Sequence, residues 1–378
     1  MSASSQLQKV RFSDQTRSEF FPTVRKRVDA YFKENNISKH ANAAMIFKTV
    51  LFVGTLMLSY GLIISSTLSP LGMLFWAGIM GATTAFIGFN VCHDAIHGSY
   101  SANARVNQAL SLLFNVIGAN AYMWSITHNV VHHTYTNIPE HDEDLDVAPG
   151  LVRLSPHDKI HPIQRFQHFY AFFLYSFASL SWVFRKDFKK FFAPKIGAVD
   201  TSNHPKSELF NLLFFKILYV VIFMVVPFIV MSLTWYEFLL GFLFMHMVQG
   251  LVLGLVFQLA HVVEGMQFPQ PNDENTIEEA WAIHQMNTTA NFARKSKLAN
   301  FFCGGLNFQI EHHLFPKVCH IHYAAISDIV KQTALEHNVP YIEHETFFSA
   351  IASHYRILKK FGKGDFSESP LRVSRVRA

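Results

Sequence analysis

The sequence predicts an all-α integral membrane protein: four transmembrane helices in two hairpins, with a cytoplasmic helical cap holding a His-rich di-metal site. Three observations lead there. Half of the 378 residues are hydrophobic, 38 are Phe and only 16% are charged, which argues against the two soluble domains that length alone would allow. Four apolar runs, 45–65, 71–92, 209–233 and 238–260, reach the roughly 20 residues needed to cross a ~30 Å hydrocarbon core. Three histidine clusters lie near these runs: His93-Asp-Ala-Ile-His97, His128-Asn-Val-Val-His132-His133 and Gln309-Ile-Glu-His312-His313.

Residues 1–44 are polar and basic, with no short apolar core before a small-residue cleavage site. They read as a cytoplasmic N-terminal segment, and the first span acts as its own insertion signal. The first hairpin is 45–65 and 71–92, joined by the uncharged loop 66–70. The second is 209–233 and 238–260, whose turn has no Lys or Arg. Eight Lys or Arg fall in 1–44, ten in 93–208 and twelve from 294 onward. The positive-inside rule therefore places both termini and the middle segment on the cytoplasmic side.

Two further segments are apolar enough to be ambiguous. Residues 109–127 carry Asn115, Asn120 and Trp124, and 166–184 are rich in Phe and Tyr. A crossing by 109–127 would put the first two clusters on opposite faces. Both segments are therefore expected as helices in the interface or against the bundle, with a six-span protein as the alternative. The net charge of +5 suits anionic lipid headgroups rather than nucleic acid. Cys92, Cys303 and Cys319 lack zinc-ribbon or disulfide spacing. The basic, Ser-rich tail Lys359–Ala378 is expected to be disordered.

The clusters carry the chemistry. Neutral imidazole suits iron, copper, nickel or zinc, and residues four apart on a helix share a face. His93 with His97, and His128 with His132, can thus each offer two nitrogens to one centre. One structural zinc needs only about four ligands, so seven clustered histidines suggest two ions. Asp94 is placed to accept a ring N–H and fix a tautomer. Gln309, three before His312, sits on the ligand face as a weak ligand or an orienting group. His261 ends the fourth apolar run as an eighth candidate. The run His141-Asp-Glu-Asp-Leu-Asp146 lacks the Gly and Glu of a calcium loop. It reads as a solvated loop that caps or hydrogen-bonds the histidine helix. Histidines without clustered spacing, such as His40, His157, His161, His168, His204, His246, His284 and His320, read as surface or packing. No Glu-x-x-His pair of the soluble di-iron bundles occurs, and spacing alone does not choose iron over copper.

The three boxes, HxxxH, HxxxHH and QxxHH, resemble those of the membrane fatty acid desaturase superfamily over about residues 45–320. Gln309 in place of the first His of the third box resembles the front-end, linoleoyl-CoA desaturase-like members, which insert a double bond between an existing one and the carboxyl end. His261 matches an additional ligand of such enzymes. The segment Trp281–Phe292 also looks like the family, without an assignable chemical role. The resemblance implies a dioxygen-dependent desaturase that introduces a cis double bond into a long-chain acyl group. It further implies two iron ions held by His93, His97, His128, His132, His133, His261, His312 and His313. The acyl group would be a coenzyme A thioester, a carrier-protein thioester or a lipid ester. Many front-end enzymes carry a fused cytochrome b5 domain marked by His-Pro-Gly-Gly; here His204-Pro-Lys-Ser is not such a motif, and 44 residues before the first span are too few for one. Electrons are then expected from a separate cytochrome b5-like protein or ferredoxin, drawn to the basic face.

The expected division is a cytoplasmic segment 1–44, a desaturase domain 45–320 and a cytoplasmic C-terminal segment 321–378. The competing reading is a di-iron hydroxylase acting on lipids, alkanes or carotenoids. A membrane haem protein is disfavoured by the tight histidine clusters, and a metal transporter by spans with almost no ionisable residues beyond Lys48, Lys216 and His246.

Overall fold

Four long helices organise the chain in the computed structural model, which describes residues 9–15 and 17–365. Helix α1 spans Phe20–Glu34, α2 Ala43–Ile64 and α3 Pro70–His97. The bent pair α4, Ala104–Val116, and α5, Ala121–Tyr135, follows. Helices α6, Gln167–Tyr175, and α7, residues 178–191, precede α8, Lys206–Val230, and α9, Trp235–His261. The short α10, Trp281–Thr288, and α11, Gln309–Leu314, lead to α12, Tyr323–Glu336, and α13, Phe347–Lys363. Among the described residues, α2, α3, α8 and α9 are long and apolar enough to cross a membrane.

The expected runs match these four helices, but two of them extend further. Helix α3 continues to His97, and α9 ends on His261, so three of the expected histidines lie within the long helices themselves. The axes α3 and α9 pack against each other along their length. At Gly81 an added Cβ would lie 2.2 Å from the Met245 carbonyl oxygen, and at Gly250 2.3 Å from that of Ser176. Small residues let apolar helices bring their backbones together where hydrophobic burial does not distinguish protein from lipid.

The two ambiguous segments are helical, but neither is a single rod. Helices α4 and α5 meet at 109°. Gly118 has φ 101° at the bend, Asn115 Oδ1 accepts from the Ala121 amide, and Asn120 caps α5 by accepting from Met123. Segment 166–184 breaks between α6 and α7 at Ser176–Phe177, where the chain meets Gly250. These side-chain and backbone fits are set by tertiary partners, which is why apolar run length alone missed them.

Both terminal segments carry helices that the sequence reading did not specify. Helix α1 buries Phe20, Val24, Val28 and Phe32, one i, i+4 stripe, against Met286, Ile310, Leu314 and Tyr323. At roughly 1.5–3 kcal/mol per buried side chain, that stripe is a substantial anchor for the third histidine cluster. Helix α13 runs through Lys359–Lys363 and ends at Gly364, φ 69°, so this part of the expected tail is not disordered. Residues 366–378 lie outside the described residues. Among the described residues, three two-residue strand pairs interrupt the otherwise helical fold; one joins Arg11–Phe12 to Thr276–Ile277 and another Asn291–Phe292 to Glu343–His344.

Candidate metal centre

The first two histidine clusters are each delivered by a local departure from regular helix. A π-helical turn at Gly88–Cys92 precedes His93 in α3, and Gly98, φ 72°, closes the helix after His97. A second π turn, Ser125–His132, lies in α5. Such wide turns place residues five apart on one face. His128 and His133 consequently meet with their Nε2 atoms 3.2 Å apart, whereas regular helical spacing pairs His128 with His132. His261 terminates α9, and α11 presents His312 and His313 in a single short turn.

All eight candidate histidines converge in one buried cluster. Candidate ligand atoms of His93, His97, His128 and His312 lie within 4.8 Å of one another, as do those of His132, His261 and His313. His133 forms a like group with His312 and His313 and so links the two sets. His128 and His132 also group with Asp144. Between the sets the rings remain close, with centroids 4.3 Å apart for His133 and His313.

The donor chemistry fits a metal. Nε2 of His93, His97, His312 and His313, and Nδ1 of His128 and His133 are buried without a hydrogen-bond partner. A buried unsatisfied polar group costs about 1–3 kcal/mol, and a metal bound among these imidazoles would supply the partner they lack. Burial pushes His128, His133, His312 and His313 well below the ordinary imidazole range, reinforced by neighbouring histidines. They are therefore neutral, the form that binds metal. Burial also opposes charge on His132, yet the adjacent Asp142 carboxylate lifts it above the ordinary value.

Surrounding groups hold the imidazoles by their outer nitrogens. His132 Nδ1 donates to both oxygens of Asp142 at 3.0 and 3.1 Å, while Asp142 also accepts the Asn137 amide at 2.9 Å. His313 Nδ1 donates to Gln285 Oε1 at 2.7 Å, and Thr136 donates to the same oxygen at 3.0 Å. His261 Nδ1 donates to the Thr288 carbonyl at 3.2 Å. His312 Nδ1 lies 3.3 Å from Tyr323 Oη. With these protons on Nδ1, the Nε2 lone pairs of His261 and His313 are left free for a metal. Asn291 and Tyr341 donate to Glu311 at 2.7 and 2.9 Å; burial nevertheless pushes that carboxyl up to about 7.

Asp94 behaves differently from expectation. Its nearest ring partner is His320, whose Nδ1 donates to Oδ2 at 2.9 Å, while His93 Nδ1 is 3.5 Å from Oδ1. Lys48 Nζ lies 2.9 Å from the far nitrogen of His320. Gln309 is buried beside His312 and His313, and its Oε1 has no protein partner.

Sequence spacing missed Gln285, Thr288, Tyr323 and His320 as supporting groups. The role left open for Trp281–Phe292 is now visible: it supplies Gln285 to His313, the Thr288 carbonyl to His261 and Trp281 Nε1 to the His133 carbonyl at 3.1 Å. The loop after the second cluster does hydrogen-bond the histidine helix, but through a buried Asp142 rather than as a wholly solvated loop. His246 fits its expected packing role, between Ser179 at 2.9 Å and Tyr219 at 2.8 Å. His320 does not, being buried on Asp94.

Comparison with known proteins agrees with this architecture. The family model described as fatty acid desaturase matches residues 66–345. The chain is 36% identical over 345 residues to the sn-1 linoleoyl-lipid 6-desaturase of Synechocystis sp., covering 91% of this chain and 96% of that one. It is 35% identical over 357 residues to the acyl-lipid (8-3)-desaturase of Physcomitrium patens, covering 94% and 74% respectively. To the acyl-lipid (8-3)-desaturase of Mortierella alpina it is 32% identical over 350 residues, covering 91% and 78%. With four helices apolar enough for a membrane and a buried histidine cluster able to bind metal, the chain belongs to the fatty acid desaturase family and is an oxidoreductase of lipid metabolism.

Proposed function

We propose that this enzyme uses dioxygen and an external electron donor to introduce a cis double bond into a long-chain acyl group, on the carboxyl side of an existing double bond. The observation that carries the reading is the convergence of eight buried imidazoles in a chain of the desaturase family. Two iron ions fit the two nitrogen sets, one drawing on His93, His97, His128 and His312, the other on His132, His261 and His313, with His133 between them. Gln309 is a weak ligand or orients one, and Asp94 supports the first set through its contact with His93.

Bound iron supplies the dioxygen and redox chemistry that no acid or base side chain can direct at an unactivated methylene. Overall, two adjacent methylenes each lose one hydrogen, and dioxygen with two electrons and two protons leaves as two waters. The chain's own residues orient the imidazoles, hold their Nδ1 protons on Asp142, Gln285 and the Thr288 carbonyl, and exclude water. Trp124 stacks on His128 with centroids 4.0 Å apart, and Phe257 stands 6.5 Å away, giving that edge an apolar cover.

The topology we infer has two hairpins, α2–α3 and α8–α9, with both termini and the histidine cluster on the cytoplasmic side. The basic segments support it through the positive-inside rule. Residues 45–320 form the desaturase domain between cytoplasmic segments 1–44 and 321–378. Electrons come from a separate cytochrome b5-like protein or ferredoxin. An acyl-lipid substrate is supported by the relatives' names.

Expression in a host with simple lipids, with and without added dienoic and trienoic acids, tests this by mass spectrometry of total fatty acids. A new cis double bond between an existing one and the carboxyl end is expected. Gln309→His should retain some product, because imidazole fills the same direction; Gln309→Ile should lose it. No altered acyl product beside a competent donor would refute the reading, and hydroxy acids alone would indicate a hydroxylase.

A further inference from the structure

Lys48 is one of the few ionisable residues in the long apolar helices, where a charge is costly and marks a role. It sits in the second turn of α2, a helix that carries none of the candidate ligands, and it is buried. Its Nζ donates to His320 Nε2 at 2.9 Å, with the Phe301 ring 5.2 Å away. His320 donates to Asp94 Oδ2 twice, from Nδ1 at 2.9 Å and from its backbone amide at 3.1 Å. The other carboxylate oxygen, Oδ1, stands 3.5 Å from His93 Nδ1, and neither of these two atoms has a hydrogen-bond partner elsewhere. A buried row thus runs from Lys48 through His320 and Asp94 to His93.

We propose that Lys48, acting through His320 and Asp94, is a positioning residue of the metal centre, whose ammonium sets the direction of every hydrogen bond in the row and so turns the His93 Nε2 lone pair to the metal. The proposal rests on the reading of the histidine cluster as a metal centre. An ammonium has three donors and no acceptor, so it admits only a lone pair on His320 Nε2. The ring proton of His320 is then on Nδ1, facing Asp94. With Oδ2 taken twice, Oδ1 is the oxygen left to accept from His93 Nδ1, and Nε2 of His93 stays free for a metal. Moving the His320 proton to Nε2 would set donor against donor at Lys48 and acceptor against acceptor at Asp94, both at 2.9 Å. The charges also balance. One ammonium and one carboxylate are bridged by a neutral ring, where either charge alone would be costly to bury.

Further contacts keep the row in register. The Cys319 amide donates to the Lys39 carbonyl at 2.8 Å, and His322 Nε2 donates to the His40 carbonyl at 3.0 Å. The entry to α2 is therefore tied to the segment on both sides of His320. Asp94, Cys319 and His320 do bring ligand atoms within 4.8 Å of one another. With both ring nitrogens of His320 engaged, however, no lone pair there remains for another ion, so this group supports the centre and is not a further metal site.

The test measures iron and cobalt(II) binding to the full-length protein in detergent, the visible spectrum of the bound cobalt, and the thermal midpoint of the metal-free protein. Lys48→Met should weaken iron binding about tenfold, the lower end for a group that supports a ligand, and should alter the cobalt spectrum. Asp94→Asn should weaken binding more, because a carboxamide no longer offers an acceptor to both rings. Lys48→Met combined with Asp94→Asn removes both charges, so its midpoint should exceed that of either single variant while iron binding stays weak. His320→Asn, whose amide keeps a donor at Asp94, should bind iron more tightly than His320→Leu. Parent affinity and spectrum in Lys48→Met would overturn the proposal. So would metal binding that recovers together with the midpoint in the double variant, since the row would then be structural alone. If the parent binds neither metal, the metal-centre reading fails instead, and nitrogen NMR of isotope-labelled histidines in the metal-free protein decides the row on its own. His320 protonated on Nδ1 in the parent, and on a mixture of nitrogens in Lys48→Met, supports the direction argued; a proton on Nε2 in the parent overturns it.

Discussion

Gln285 takes the Nδ1 proton of His313 at 2.7 Å and receives a second hydrogen bond from Thr136, so its oxygen fixes both the tautomer and the plane of that ring. Gln285→Ala should lower desaturation about 10–100-fold, with a smaller loss in Gln285→Glu, which keeps an accepting oxygen. A structural role alone would not alter the metal's electronic spectrum, which should shift in Gln285→Ala and return toward the parent in Gln285→Glu. Unchanged spectra in both variants would remove Gln285 from the site. Seven of the histidines were legible because close spacing on a short segment is a local property, and His261 only because it ends an apolar run. Gln285 was not, since its partner is 28 residues away, and His320 was not, since Asp94 is 226 residues away. A residue's chemistry shows in sequence, but its pairing across a fold does not.

At the scale of elements, the close approach of α3 and α9 fixes where two of the four histidine-bearing helices meet. Gly81 allows it, because a Cβ there would stand 2.2 Å from a backbone oxygen that cannot swing aside. Gly81→Ala should destabilise the protein by ~1–3 kcal/mol and lower its thermal midpoint in detergent. Gly61→Ala is the control: nothing lies within 4 Å of that position, and removing a helix glycine should help by ~0.5–1 kcal/mol. Equal midpoints for the two variants would mean that the helices are not this close. The four long helices were readable because hydrophobic length is a property of each segment alone. The 109° bend between α4 and α5 and the π turns before the histidines were not. They depend on Asn115, Gly118 and tertiary partners, and the π turn changes which histidines face each other. The ordered α1 was also missed, although its stripe of Phe20, Val24, Val28 and Phe32 has helical spacing.

At the scale of the whole molecule, the proposed two-hairpin topology keeps both termini and all three boxes on one side of the membrane. Reporter tags at the N-terminus and after residue 378, together with one in the loop 66–70, test this in intact and permeabilised membranes. Both terminal tags should be protected with the cytoplasm and the loop tag accessible from outside; termini on opposite sides would exclude the two-hairpin topology. If the eight imidazoles hold a pair of irons that supports desaturation, metal analysis of active, purified protein will register it. Two irons per chain without haem absorption are expected, falling in His132→Ala and His313→Ala along with double-bond formation. One metal per chain at full activity, or zinc required for turnover, would contradict it.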